Sequence, residues 1–370
     1  MKILYGVQGT GNGHISRARE MARAFKQLGA EVDFYFSGRA SEHYFDMDCF
    51  GHYQSSAGLT FVSENGQVER WKTVIQSQPS QFLSDVKGCD LRHYDVVLND
   101  FEPITAWAAK QQKVHSIGIS HQCAFLHAIP KVNESWFDRG VTRYFAPTSQ
   151  QLGLHWHHFG QMILPPIVPS ITQLQITNDG SVLVYLPFEN VAQVQALLSR
   201  FNHVKFYCYH PCIESDFDDE NICFRRLSRK GFHHRLHQCA GVIANGGFEL
   251  PSEAIGLGKK LLLKPLQGQY EQQSNVTMLE LMGLAQSMDN LTPASLHRWL
   301  ETYSVGQVIF PDVALHIARW VLEGEWYHCD ELWKHLWRQV VFPDVVSENM
   351  TENYPLTWNS HCSLLITDTY

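Results

Sequence analysis

The sequence predicts an α/β protein made of two similar units, and three observations carry that expectation. Short β-branched or aromatic runs alternate with helix-length segments through the first half. A proline cluster, Leu164-Pro165-Pro166-Ile167-Val168-Pro169, then interrupts the alternation, because proline continues neither a helix nor a central strand. Beyond it the same rhythm restarts. The 370-residue length fits two domains at roughly 150 residues each, and 44% hydrophobic with 12% aromatic residues supply two cores.

In the first half, Lys2–Gln8, Val32–Phe36, Val96–Leu98, Val114–Ile119 and Arg143–Phe145 read as strands. Ser16–Leu28 places Ala18, Met21, Ala22, Phe25 and Leu28 at helical spacing and stops at Gly29, directly before the next strand, as a crossover helix does. In the second half, Val182–Tyr185, Lys205–Tyr209, Ile222–Phe224, Gly241–Ala244 and Lys260–Lys264 read as strands. Val191–Phe201, Ser252–Leu257 and Val313–Leu322 read as helices. The expected organisation is two Rossmann-like domains, 1–165 and 166–340, facing a cleft, with a polar tail 341–370 that should be poorly packed.

Twenty-nine Lys and Arg against 37 Asp and Glu leave a formal charge of −8, so no global basic field exists to neutralise a nucleic-acid backbone. No apolar run reaches the ~20 residues that span a bilayer, and the N-terminus runs into a glycine loop instead of a cleavage site. The nine cysteines form no C-x-x-C pair and are an odd number, which fits neither a disulfide framework nor a zinc ribbon. These features together predict a cytoplasmic protein with reduced thiols, no nucleic-acid partner and at most peripheral membrane contact.

Three loops carry the candidate chemistry. Gly9-Thr10-Gly11-Asn12-Gly13-His14 follows the first strand and opens the first long helix, where backbone N–H groups favour a polar or anionic ligand. His14 stands where a dinucleotide fingerprint needs glycine, so a redox Rossmann protein is the weaker reading; an imidazole there could take a proton from a hydroxyl. Asn99-Asp100-Phe101-Glu102-Pro103 ends a buried strand. Either carboxylate could cap the helix that Pro103 starts, or Asp100 could orient His14 or act as the base itself. In the second half, Asn245-Gly246-Gly247 leads from a strand into a helix bearing Glu253, placed to accept hydrogen bonds from a ribose diol. The polar loop Pro265 to Asn275 leaves the same sheet edge.

Other groups read as bystanders. The basic cluster Arg225 to Lys230 is a solvated face from which Arg229 alone is assigned to a departing diphosphate. Asp46-Met47-Asp48 and Asp216-Phe217-Asp218 do not close a hydrophobic strand as a metal D-x-D would. His155-Trp156-His157-His158 and the His233, His234, His237 group lack a defined third and fourth ligand, so no metal is expected.

Gly246-Gly247, Ser252-Glu253-Ala254, Gly258 and Glu271-Gln272-x-x-Asn275 resemble the C-terminal pattern of GT-B glycosyltransferases, the group of MurG-like transferases, monogalactosyldiacylglycerol synthases and UDP-glucosyltransferases. Gly11 to Arg17 and Asp100 to Pro103 are similar to pieces of an uncharacterised microbial branch of it. The resemblance implies a first domain for the acceptor and a second for the nucleotide sugar. It implies ribose binding by Glu253, sugar binding by Glu271 and Gln272 with Asn275 beside them, and diphosphate binding at Gly246-Gly247. His14 or Asp100 would be the base, the Gly11-Asn12-Gly13 loop would frame it, and Glu102 would lie on the acceptor side. Lys260 and Val276 depart from the pattern, where proline and alanine are common. The expected function is inverting, metal-independent transfer of a hexose or N-acetylhexosamine from a UDP-sugar to a hydroxyl of a lipid or glycan, with no cofactor. A UDP-sugar 2-epimerase and a non-catalytic sugar-nucleotide binder are the alternatives.

Overall fold

The computed structural model describes residues 1–59, 63–64, 67–68, 79–169 and 175–354. Its first unit contains strands β1 (Ile3–Gln8), β2 (Val32–Ser37), β3 (Tyr53–Ser56), a small antiparallel pair β4 (Ser63–Glu64) and β5 (Gln67–Val68), then β6 (Val96–Asp100), β7 (Ser116–Ser120), β8 (Gln150–Leu154) and β9 (Ile163–Leu164). Its helices are α1 (Asn12–Gln27), α2 (Pro79–Gly88), α3 (Pro103–Gln112), α4 (His121–Ala124) and α5 (Trp136–Tyr144). Seven strands form one parallel sheet in the order β3-β2-β1-β6-β7-β8-β9. The order reverses between β1 and β6, which opens a crevice at their carboxyl ends.

The second unit has strands β10 (Val182–Tyr185), β11 (Phe206–Tyr209), β12 (Phe217–Asp219), β13 (Ile222–Arg225), β14 (Gly241–Asn245), β15 (Lys260–Lys264) and β16 (Ala285–Ser287). The order is β12-β13-β11-β10-β14-β15-β16, parallel except for β12. Helices α6 (Val191–Leu198), α7 (Arg229–Gln238), α8 (Glu249–Gly256), α9 (Tyr270–Leu281) and α10 (Pro293–Leu300) cover it. β1 and β6 are buried at every position, as is β14, which is why they read as continuous apolar runs rather than alternating ones.

Three more helices follow: α11 (Val313–Glu323), α12 (Asp330–Trp337) and α13 (Asp344–Asn353). α11 buries Val313, Ala314, Ile317, Ala318, Trp320 and Val321, a single helical face, and ends at Gly324 with φ 79°. α11 and α12 return to the first unit. Arg23 on α1 donates to both carboxylate oxygens of Asp312 at 2.7 and 2.9 Å, and the buried Trp337 indole donates to the Ile163 carbonyl at 2.7 Å. One apolar cluster consequently runs from Ile3 and Phe25 through Leu183 and Ile255 to Trp320 and Trp337.

Three expectations are corrected. Arg143–Phe145 is not a strand but the end of α5, because Ser135 and Asp138 close a capping box that starts a helix seven residues earlier. The expected poorly packed tail holds α13, whose Val346 and Met350 are fully buried one turn apart; residues 355–370, with Cys362, lie outside the described residues. Residues 313–337, expected in the second unit, pack on the first. Leu164 to Ile167 are buried. No described helix is long and apolar enough to cross a membrane.

Candidate active site

The two sheets meet carboxyl edge to carboxyl edge. Gly13, in the first turn of α1, lies against Glu249 at the start of α8, where a Cβ would come within 2.9 Å of Glu249 Cγ. A side chain there would push the Glu249 side chain aside, so glycine keeps the contact close.

At this contact His14, near the start of α1 after β1, and Asp100, at the end of β6, come together at the first switch point. His14 Nδ1 stands 2.7 Å from Asp100 Oδ1. Arg17 grips the same carboxylate with Nε on Oδ2 and Nη2 on Oδ1, both at 2.7 Å, and its Nη1 reaches Glu249. An ionised Asp100 can only accept, so at 2.7 Å His14 Nδ1 donates to it, which in the neutral imidazole leaves the lone pair on Nε2; Arg17 Nη2 lies 3.0 Å from the same Nδ1 as a close neighbour. Asp100 is fully buried. Burial would raise its carboxyl, yet the Arg17 charge and the hydrogen bonds from His14 and Arg17 outweigh that and hold it below the ordinary range. Enclosed by these donors, Asp100 orients the imidazole.

Glu102, assigned to the acceptor side, is instead the fully buried N-cap of α3. It accepts from the backbone N–H of Ile104 and Thr105 at 2.8 and 2.7 Å and from the Ser37 hydroxyl at 2.6 Å. In the loop, Gly11 is the exposed N-cap residue of α1, and Asn12 accepts from Arg39 at 3.1 Å.

The second unit divides its candidates in two. Gly246 does not make room for a ligand: its Cβ position is filled by Val276 Cγ2 at 2.7 Å and the Gln272 carbonyl at 2.8 Å. Gln272 and Asn275, assigned to the donor, brace this turn. Gln272 Oε1 accepts from the Gly246 and Leu266 amides at 3.1 and 3.0 Å. The fully buried Asn275 donates to the Gly246 carbonyl at 3.1 Å and meets His121 Nε2 at 2.7 Å. The ring of His121 stacks on Phe248 at 3.9 Å between centroids. Glu271 accepts from Gln122 at 3.1 Å across the units.

Gly247, by contrast, has nothing within 4 Å of its Cβ position, and it stands just before Phe248, the N-cap of α8, whose first turn has no side-chain cap. Glu253 lies in the same helix, 9% exposed. Burial, then the nearby Glu249 and Glu20, push its carboxyl up to about 8. His233 Nδ1 is 3.6 Å away and is itself depressed to about 4 by burial and by Arg229, so both groups are neutral at pH 7. Arg229 is exposed at the start of α7, close enough to lower Glu253 and to repel Arg19.

Residue-by-residue reading of the sequence missed Arg17 and Glu249 as site groups. It also missed a buried pair at the second switch point, Lys264 Nζ to Glu189 Oε1 at 2.8 Å, beside a cavity of about 540 Å³ lined also by Gln193, Gln267 and Asn290. Among the described residues no three His, Cys, Asp or Glu side chains converge as a metal site requires.

Two largely parallel α/β sheets with apposed strand ends are the two-domain architecture called GT-B. The model of glycosyl transferase family 1 matches residues 1–303, and the chain belongs to that family. It is an enzyme that transfers glycosyl groups, which sets aside the epimerase and the non-catalytic binder. No curated protein matches the chain. Among solved structures, the spinosyn rhamnosyltransferase SpnG is similar with a TM-score of 0.57 at 14% identity, covering 89% of this chain and 96% of that one. MurG of Acinetobacter baumannii gives 0.54 at 13%, with 87% and 99% covered, and the kitacinnamycin glycotransferase 0.56 at 12%, with 81% and 91% covered. At these identities the likeness is one of fold.

Proposed function

We propose that this enzyme takes a hexose or N-acetylhexosamine from a uridine-linked nucleotide sugar and passes it, with inversion and without a metal, to a hydroxyl of a lipid or glycan acceptor. The observation that carries the reading is the His14–Asp100 pair, 2.7 Å apart, set opposite the open Gly247 turn and the start of α8. The acceptor hydroxyl gives its proton to His14 Nε2 as its oxygen bonds to the anomeric carbon. The bond from that carbon to the diphosphate breaks, the electron pair leaves with the nucleoside diphosphate, and the carbon inverts. Asp100 stabilises the imidazolium that forms. The Glu249 and Leu250 N–H groups in the first turn of α8, whose third residue is Pro251, and the helix dipole receive the leaving charge, the role a metal would otherwise take, with Arg229 as a further cation at the rim.

Glu253 is the ribose ligand in this reading, since no hydrogen bond inside the protein occupies its carboxyl. The eight described cysteines are free, which supports a reducing, cytoplasmic setting. The test is calorimetric binding of UDP, GDP and thymidine diphosphate, the last because a SpnG structure of the same fold holds it. Selective UDP binding that weakens at least about tenfold in Glu253→Ala is expected; no binding of any of the three would overturn the donor assignment.

A further inference from the structure

Arg17 takes no part in the steps just described, yet it is 2% exposed and sits in the contact between the units. Two of its nitrogens donate to the two oxygens of Asp100 and the third to Glu249. One planar guanidinium is thereby shared by the end of β6 in the first unit and the first turn of α8 in the second. A guanidinium that grips both oxygens of a carboxylate fixes its plane as well as its position. Asp100 Oδ1, one of those oxygens, is the partner of His14 Nδ1, so the plane that Arg17 sets is the plane from which the imidazole hangs.

We propose that Arg17 is a positioning residue that makes the orientation of His14 depend on contact with the donor unit, through the anchor that Glu249 gives it. The proposal rests on the reading of His14 as the base. Glu249 stands two residues after Gly247, so a movement of α8 that changes the diphosphate seat also moves the carboxylate anchoring Arg17. Separating the units withdraws that anchor and loosens the imidazole; bringing them together restores it. The groups facing His14 are Asp100 on β6, Arg17 on its own helix and Glu249 on α8; the buried Tyr5 on β1 lies near Asp100, Arg17 and Glu249, and among the described residues its hydroxyl has no hydrogen-bond partner.

The test uses the full chain without nucleotide, carrying isotope-labelled histidine, with His14→Gln to assign the resonance by nuclear magnetic resonance. Two quantities are read for His14: exchange of its Nδ1 hydrogen with water, and its titration midpoint. In Glu249→Gln the hydrogen should exchange at least about threefold faster, and the midpoint should fall as a nearby negative charge is lost. In Arg17→Lys, which keeps the charge but not the fork, exchange should accelerate about tenfold or more. Wild-type exchange and midpoint in Glu249→Gln would overturn the proposal, and so would wild-type exchange in Arg17→Lys. Should Arg17→Lys not fold, the near-isosteric Glu249→Gln decides alone. Because no sugar nucleotide is present, failure of the donor reading would show only in the calorimetry, and failure of this proposal only here.

Discussion

At the scale of single residues, the contact geometry separates groups that work through charge from groups that work through position. Asp100→Asn removes the carboxylate that pairs two nitrogens of the buried Arg17 and leaves that charge to Glu249 alone. Breaking a buried ion pair costs up to about 3–5 kcal/mol, so the variant should melt well below wild type in addition to losing turnover by about 10²-fold or more. His14→Ala leaves Arg17 and Asp100 paired; it should lose a similar factor in turnover while its melting and UDP affinity stay near wild type. Melting curves and calorimetry on both variants check this. Glu253 gives a pH prediction. Its folded value of about 8 lies above the ordinary 4.5, so the folded protein holds a proton there that the unfolded chain releases. Stability is lost as pH rises through that window. Glu253→Gln should flatten the fall by on the order of 1–3 kcal/mol, read from denaturant unfolding at pH 5 and pH 8, each taken as roughly the edge of the window. His14 and Asp100 were legible in the sequence because one opens the helix after the first strand and the other ends a strand, both at a switch point where position alone marks a ligand edge. Arg17 was not, because it reads as one more polar residue on an amphipathic helix. Its partners lie 83 and 232 residues away, and no local pattern reports a long-range ion pair.

Among elements, the turn between β14 and α8 shows how two adjacent glycines serve different ends. Gly246→Ala would drive a Cβ into Val276 and the Gln272 backbone, and overpacking against a helix costs about 1–3 kcal/mol. Gly247→Ala meets nothing; it should leave stability within about 0.5 kcal/mol of wild type and weaken UDP, since the added methyl occupies the space a diphosphate would approach. Thermal melts and calorimetry on the pair distinguish packing from ligand space, and equal effects of both substitutions would contradict the division. The strand–turn–helix order here was readable from the sequence. Which glycine faces α9 was not, because that depends on the docking of a helix some 25 residues on. Gln272 and Asn275 illustrate the same limit: amides in a polar loop look like sugar ligands until the turn they brace is in place. Elsewhere a local signal existed and was outweighed. Val346 and Met350 are spaced one turn apart in α13, but a decapeptide with so few apolar residues reads as a solvated tail.

Across the whole molecule, the chain leaves the first unit near Leu164 and comes back to it with α11 and α12, so the second unit is held at both ends. The return is energetic as well as topological. Trp337 is fully buried, donates its indole N–H to the Ile163 carbonyl at 2.7 Å, and lies in the cluster that also contains Phe25 and Ile163. Removing such a side chain costs about 3–5 kcal/mol, a large share of the 5–15 kcal/mol that holds a typical domain folded. Trp337→Ala should therefore destabilise the first unit, although residue 337 follows the whole second unit in sequence. A chain ending at residue 311 would uncover the face of α1 that α11 covers, and would lose the Arg23–Asp312 pair with it. Hydrogen exchange read segment by segment checks where the effect falls. In Trp337→Ala, protection should drop in β8, β9 and α1 while β13 and α6 keep theirs, because the latter rest on a separate apolar cluster around Val194, Leu198, Ile222 and Phe224. Loss spread evenly over both sheets would mean that the units unfold as one cooperative body, and the apposed strand ends would then owe their alignment to the shared core instead of to the contact at Arg17 and Glu249.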